Sequence, residues 1–175
     1  MSIGIQPYDD HGAMAVFSDL DAHDLMEAQL VRGPVAVTHL GLWADWRSMR
    51  PAWVESYLLT TAPAGGKPFA VAVIANTGQA GVAQAAFLAR NHARFARPIA
   101  KAAVQMRSYF PRMMDARGIH RIEARCWAGH PTAPRFLASI GFGLDCFMTG
   151  FGTDGHASFM QFSTTLVPPA TPTGD

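Results

Sequence analysis

A chain of 175 residues, 49% hydrophobic and 15% charged, has the length and apolar content of one globular domain and excludes a disordered polar chain. The net charge of +1 excludes a protein that coats nucleic acid through its overall charge, and no apolar run approaches the ~20 residues of a membrane-spanning helix. The balance conceals an asymmetry, because six of the 13 acidic residues lie between Asp9 and Glu27 and nine of the 14 basic ones between Arg90 and Arg125. One face is therefore expected to be basic, suited to an anionic ligand, an acidic protein surface or a nucleic acid.

In chain order, Ser2–Tyr8 reads as a short strand, and Asp9-Asp10 as caps for a helical stretch carrying Met14, Phe17 and Leu20. Asp21–Arg32 predicts a second helix with Leu25, Met26 and Leu30 on one face, stopped by Gly33-Pro34. Pro34–Pro51 gives no clear period, and its Trp43 and Trp46 indicate a packed loop or short helix. Trp53–Thr61, Phe69–Ala75 and Val82–Ala89 then read as a three-stranded meander with turns at Ala62–Gly66 and Asn76–Gly78.

Ile99, Ala103, Met106 and Phe110 recur at helical spacing, with Pro98 in the first turn, Pro111 expected to end or kink the helix, and Gly118 closing it. Ile119–Trp127 is a strand with Ile122, Ala124 and Cys126 on one side. Thr132 is the expected N-cap of a helix whose stripe Ala133, Phe136, Leu137 and Ile140 should bury against a sheet. Gly141 stops that helix, Phe142–Phe151 is a strand, and Ala157–Thr165 pairs back on it.

The opening MSIGIQPYDD shows no basic stretch followed by an apolar one, so no signal peptide is read. Cys126 and Cys146 sit in apolar runs without CxxC spacing, as reduced core residues do, which favours a cytoplasmic setting. No His, Cys or Asp spacing indicates a metal site. The expected organisation is one domain over residues 1–166 and a flexible Pro/Thr-rich tail over 167–175.

The element order, with Ile119–Ala124, then Arg135-Phe136-Leu137-Ala138-Ser139-Ile140-Gly141-Phe142, then Asp154-Gly155, resembles the Gcn5-related N-acetyltransferase (GNAT) superfamily. The resemblance implies an α/β fold with a central mixed sheet flanked by helices. A narrower resemblance, carried by Ala22–Ala28 and by Arg135-Phe136-Leu137 with Ile140-Gly141, is to GNAT-like internal or accessory virion proteins of short-tailed phages. It implies a virion partner or homo-oligomer, in the host cytoplasm or the virion interior.

GNAT proteins hold acetyl-CoA or another acyl-CoA by its pyrophosphate, on a loop of the form Gln/Arg-x-x-Gly-x-Gly/Ala at the start of the central helix. Glycine lets the backbone approach phosphate, and the helix dipole favours the anion. The matching residues here are Arg97-x-x-Ala100-x-Ala102, with alanine where glycine is usual. Arg90, Arg94, Arg97 and Lys101 can compensate through direct charge contacts, or form a solvated basic face.

The family's acid is often a tyrosine on the helix after the fifth strand, and Phe136 stands at that place. Its frequent base is a glutamate on the fourth strand, whereas Gln79–Asn91 holds no carboxylate. His130, at a turn where the family often carries asparagine, and Glu123 on the fifth strand are the remaining catalytic candidates. Each has a plainer alternative: a solvent-facing turn for His130, and pairing with an arginine for Glu123 and Glu55. Two functions stay open, an active N-acyltransferase acting on a small amine or a protein amine, and a degenerate, weak or silent acetyltransferase-like protein.

Overall fold

In the computed structural model, which describes residues 2–33 and 36–166, the middle of the chain forms the meander that its alternating runs predict. β1 (Gly4–Pro7), β2 (Trp53–Thr60), β3 (Pro68–Asn76) and β4 (Val82–Ala89) pair antiparallel in that order. β5 (Arg121–Trp127) lies parallel to β4, a pairing that needs a crossover, and α4 (Ala96–Arg117) supplies it. β6 (Gly143–Phe151) and β7 (Ala157–Thr165) complete a seven-stranded mixed sheet in the order β1-β2-β3-β4-β5-β7-β6. α1 (Asp10–Phe17), α2 (Ala22–Arg32) and α3 (His39–Ser48) connect β1 to β2, and α5 (Ala133–Ile140) connects β5 to β6.

β3 is apolar throughout because it is covered on both sides. Its Ala70, Ala72 and Ile74 join the cluster under α4 and α5, while Val71 and Val73 pack with Val16, Phe17, Leu42 and Trp46 of α1 and α3. The expected mixed α/β sheet flanked by helices is therefore present. Asp9 caps α1 by accepting the Gly12 N–H at 2.7 Å, and Asp21 caps α2 by accepting the His23 N–H at 3.0 Å. Gly141, at a φ of 107°, ends α5 and lets Phe142 N–H reach Leu137 O at 3.1 Å.

Several local expectations are corrected. Pro111, expected to end or kink the helix, does not end α4, which continues to Arg117. It sits on the solvent side, so the hydrogen bond it cannot donate would have gone to exposed Arg107, while Met106, Met113 and Met114 hold the buried side. Of the two readings for Pro34–Pro51, a packed loop or a short helix, the helix is present as α3, capped by Thr38 and buried through Leu42 and Trp46. Met26 is exposed, off the buried side of α2. Cys146 is exposed on the edge strand, whereas Cys126 is buried, and both are free thiols. The tail over 167–175, and Pro34 in the expected stop after α2, lie outside the described residues. Among those described, no helix is long and apolar enough to cross a membrane.

Candidate functional site

β4 and β5 start together and then part. Their ladder pairs Val82 with Arg121, Ala83 with Ile122 and Gln84 with Glu123, and then stops, although β4 runs on to Ala89 and β5 to Trp127. The gap belongs to a cavity of about 960 Å³ that touches both faces of the sheet. Ala85 and Phe87 of β4, Ala124 and Cys126 of β5, and Phe136 of α5 line it. The rings of Phe87 and Phe136 meet there, with centroids 4.4 Å apart.

Arg90 N–H bonds Phe69 O at 2.8 Å across the β3–β4 ladder. Strand alternation then turns the backbone groups of Ala85, Phe87 and Ala89 away from β3, toward the gap. Those of Ala89 are taken by α2. Among the described residues no strand pairs with those of Ala85 and Phe87.

α2 closes the wide end. Asp21, Asp24 and Glu27 recur every third residue and so share one helix face. Asp24 Oδ2 accepts the Ala89 N–H at 2.9 Å, and Glu27 Oε2 accepts the Trp127 N–H at 2.8 Å. Asp21 donates its N–H to Ala89 O at 2.9 Å, and its Oδ2 accepts the His92 N–H at 2.7 Å. One helix thus clasps the last residues of both diverging strands.

His130 belongs to this clasp. Its side chain is buried, its Nδ1 accepts the N–H groups of Thr132 (3.2 Å) and Ala133 (3.0 Å), and its Nε2 lies 3.0 Å from Asp24 Oδ1. With Nδ1 accepting, the ring proton sits on Nε2 and is donated to Asp24. His130 is therefore the group that caps α5, where Thr132 was expected to do so and makes no such bond. It is not a solvent-facing turn residue, and both ring nitrogens are engaged.

His92 stands beside it, with Nε2 3.4 Å from Asp24 Oδ1 and Nδ1 3.1 Å from Thr132 Oγ1. Asp24, His92 and His130 are close enough to share a cation. A metal on His130 Nε2 would, however, move the ring proton to Nδ1, against two backbone donors, so this donor set does not suit one.

Burial sets the electrostatics of the clasp. It raises the Glu27 carboxyl above the usual range, and the Trp127 N–H offsets this only in part. Burial would also raise Asp24, yet the hydrogen bonds from His130 and His92 hold it below the ordinary carboxylate value. For His92 burial works downward, and Asp24 overrides it to raise the imidazole. The Cys126 thiol is pushed up to about 12 by burial and then by the Glu27 charge, which makes it an inert wall residue.

The other residues singled out in the sequence are placed around this cavity or away from it. Arg94, Arg97 and Lys101 are exposed around the start of α4, and Ala100 lines the cavity beside them. Arg90 instead bonds Asp19 at 2.7 Å and Pro68 O at 3.0 Å, so it anchors the end of β4. Ala102 is fully buried in the core and presents no side chain to a phosphate. Phe136 is only half-buried, as a cavity wall, while Leu137 and Ile140 carry the buried stripe.

Glu123 is held by Arg121 at 2.8 Å, outside the cavity lining. Glu55 accepts both tyrosine hydroxyls of Tyr57 and Tyr109 and lies 3.3 Å from Arg117. Part of the basic segment is thereby neutralised internally. The clasp itself was not foreseen; the three-residue spacing of carboxylates on α2 was the signal that could have found it.

No family model matches the chain, and no curated protein matches it in sequence. In shape it matches an acetyltransferase (GNAT family) from Bacillus anthracis, with a TM-score of 0.71 at 12% identity over 95% of this chain and 96% of that one. The Salmonella typhimurium protein yncA, solved with its cofactor acetyl-CoA, gives 0.64 at 11% identity over 100% of both chains. RimJ from Mycobacterium smegmatis, in complex with CoA-disulfide, gives 0.66 at 14% over 93% of this chain and 81% of that one. Identities this low carry the fold alone, and on that ground the chain has the GNAT fold.

Proposed function

We propose that the chain binds an acyl-CoA thioester in the wedge between β4 and β5 and is a weak or catalytically silent acetyltransferase-like protein. The observation that carries this is the parting of two parallel strands after Gln84 and Glu123, which leaves a β4 edge facing a cavity. An amide-bearing pantetheine arm can lie along Ala85–Leu88 as an added strand, bonding the backbone of Ala85 and Phe87. The start of α4, with Arg94, Arg97 and Lys101 around it, suits the pyrophosphate. Alanine at position 100 keeps the phosphate farther from the backbone than glycine would.

The bound thioester supplies the acyl group, and the protein's part is to position it and move protons. Phe136 has no proton for a departing thiolate, and His130 is engaged as the cap of α5 and acts as a positioning residue. Hence transfer should be slow.

An active N-acyltransferase is the second possibility, and Glu27 favours it: a carboxylate raised by burial, lining the cavity, where an acceptor amine can deliver its proton. A virion or accessory role in a host cytoplasm rests on the resemblance of Ala22–Ala28 and of Arg135-Phe136-Leu137 with Ile140-Gly141, and within the fold residues 22–28 belong to the clasp helix.

Calorimetric titration with CoA and with acetyl-CoA, alongside thiol release in the presence of amines, tests the proposal. One-to-one binding with little thiol release is expected. Absence of binding at millimolar ligand overturns it. Fast thiol release that disappears in Glu27→Gln establishes the active alternative.

A further inference from the structure

The cavity has one polar end and one apolar end. Asp24, Glu27, His92 and His130 gather beneath α2, whereas α4 contributes mostly apolar side chains, Ile99, Ala100, Met106 and Phe110, with Gln105 and Tyr109 beside them. The sheet explains why. Tyr57, Ala72 and Phe87 stand opposite one another across β2, β3 and β4, and Glu55, Ile74 and Ala85 form the next row on the same face. Alanine at 72 and 85 leaves unfilled the volume that a branched side chain would occupy. At the far end Tyr57 and Tyr109 turn both hydroxyls onto Glu55, so their rings face the cavity.

We infer that this apolar arm holds an acyl chain of medium length, so that the preferred thioester is a medium-chain acyl-CoA and not acetyl-CoA. The inference rests on the acyl-CoA proposal above. An acetyl group at the β4 edge would leave most of the wall from Phe87 to Tyr57 uncovered, whereas an unbranched chain continues the pantetheine path along it. At the far end of the arm the tyrosine hydroxyls and Glu55 already satisfy one another.

The test is a binding series of CoA, acetyl-, butanoyl-, hexanoyl-, octanoyl- and decanoyl-CoA, with free decanoate as a further probe. Affinity should rise by about fourfold per added methylene until the arm is full. Ala72→Leu should abolish the gain for octanoyl- and decanoyl-CoA, leave CoA itself bound as before, and raise the melting temperature by filling the void. Equal affinity from acetyl to decanoyl, with CoA still bound, overturns the inference and leaves the acyl-CoA proposal intact. Decanoate binding that Ala72→Leu blocks, without any CoA binding, overturns the proposal and keeps the chain site. No binding by either class overturns both.

Discussion

Asp24 ties three elements together, and its removal is the sharpest perturbation of the clasp. The residue is 8% exposed; its oxygens accept from Ala89 N–H at 2.9 Å and from His130 Nε2 at 3.0 Å, and His92 Nε2 lies 3.4 Å away. Asp24→Ala leaves two buried donors unpaired, each at about 1–3 kcal/mol. It also deprives the partly buried His92 of its counter-charge, so the total should reach about 3–5 kcal/mol, in the range for breaking a buried pair from one side. Asp24→Asn keeps the volume and one acceptor, and should cost about 1–3 kcal/mol. Urea unfolding at neutral pH, read as a shift in midpoint at unchanged slope, measures both. Amide exchange at Ala89 should accelerate in the alanine variant. A loss below about 1 kcal/mol for Asp24→Ala would refute the clasp as a structural element.

The raised imidazole of His92 contributes stability that is fully present below about pH 6.5 and is lost as pH climbs through its elevated folded value. The depressed Asp24 contributes stability present above about pH 3.9 and lost as pH falls through its folded value. His92→Gln should therefore flatten the alkaline limb of a stability–pH profile, and an unaltered limb would contradict the pairing. Leu137→Ala, at a buried position, should cost about 2–5 kcal/mol, more than Phe136→Ala, whose ring already borders a cavity; chemical denaturation showing the reverse order would contradict the lining. The double substitution of Arg94 and Arg97 by alanine should weaken CoA binding, with less effect at high salt, and leave the melting temperature unchanged.

Much of the fold was legible because local signals agreed with one another. Gly118 and Gly141 stop helices at positions where φ is positive, and the apolar run of β3 marks a strand covered on both faces. For α3 the sequence left a packed loop and a short helix both open, since only Leu42 and Trp46 of its ten residues are buried and no stripe forms. Pro111 does not end α4 because the donor it lacks falls on the solvent side of the helix. The site was harder still. Its polar contacts join residues 65, 100 and 106 positions apart, and no spacing rule links Asp24 with Ala89, Glu27 with Trp127, or His130 with Asp24. β4 carries no carboxylate of its own; those at the ends of β4 and β5 come from α2.

The central claim is that a CoA thioester lies along the free edge of β4, and amide hydrogen exchange with and without saturating acetyl-CoA tests it most directly. Ala85 and Phe87 should gain protection, as should the amides at the start of α4, while the amides of β6 stay unchanged. Saturable binding that leaves Ala85 and Phe87 unprotected would contradict the claim and place the ligand elsewhere.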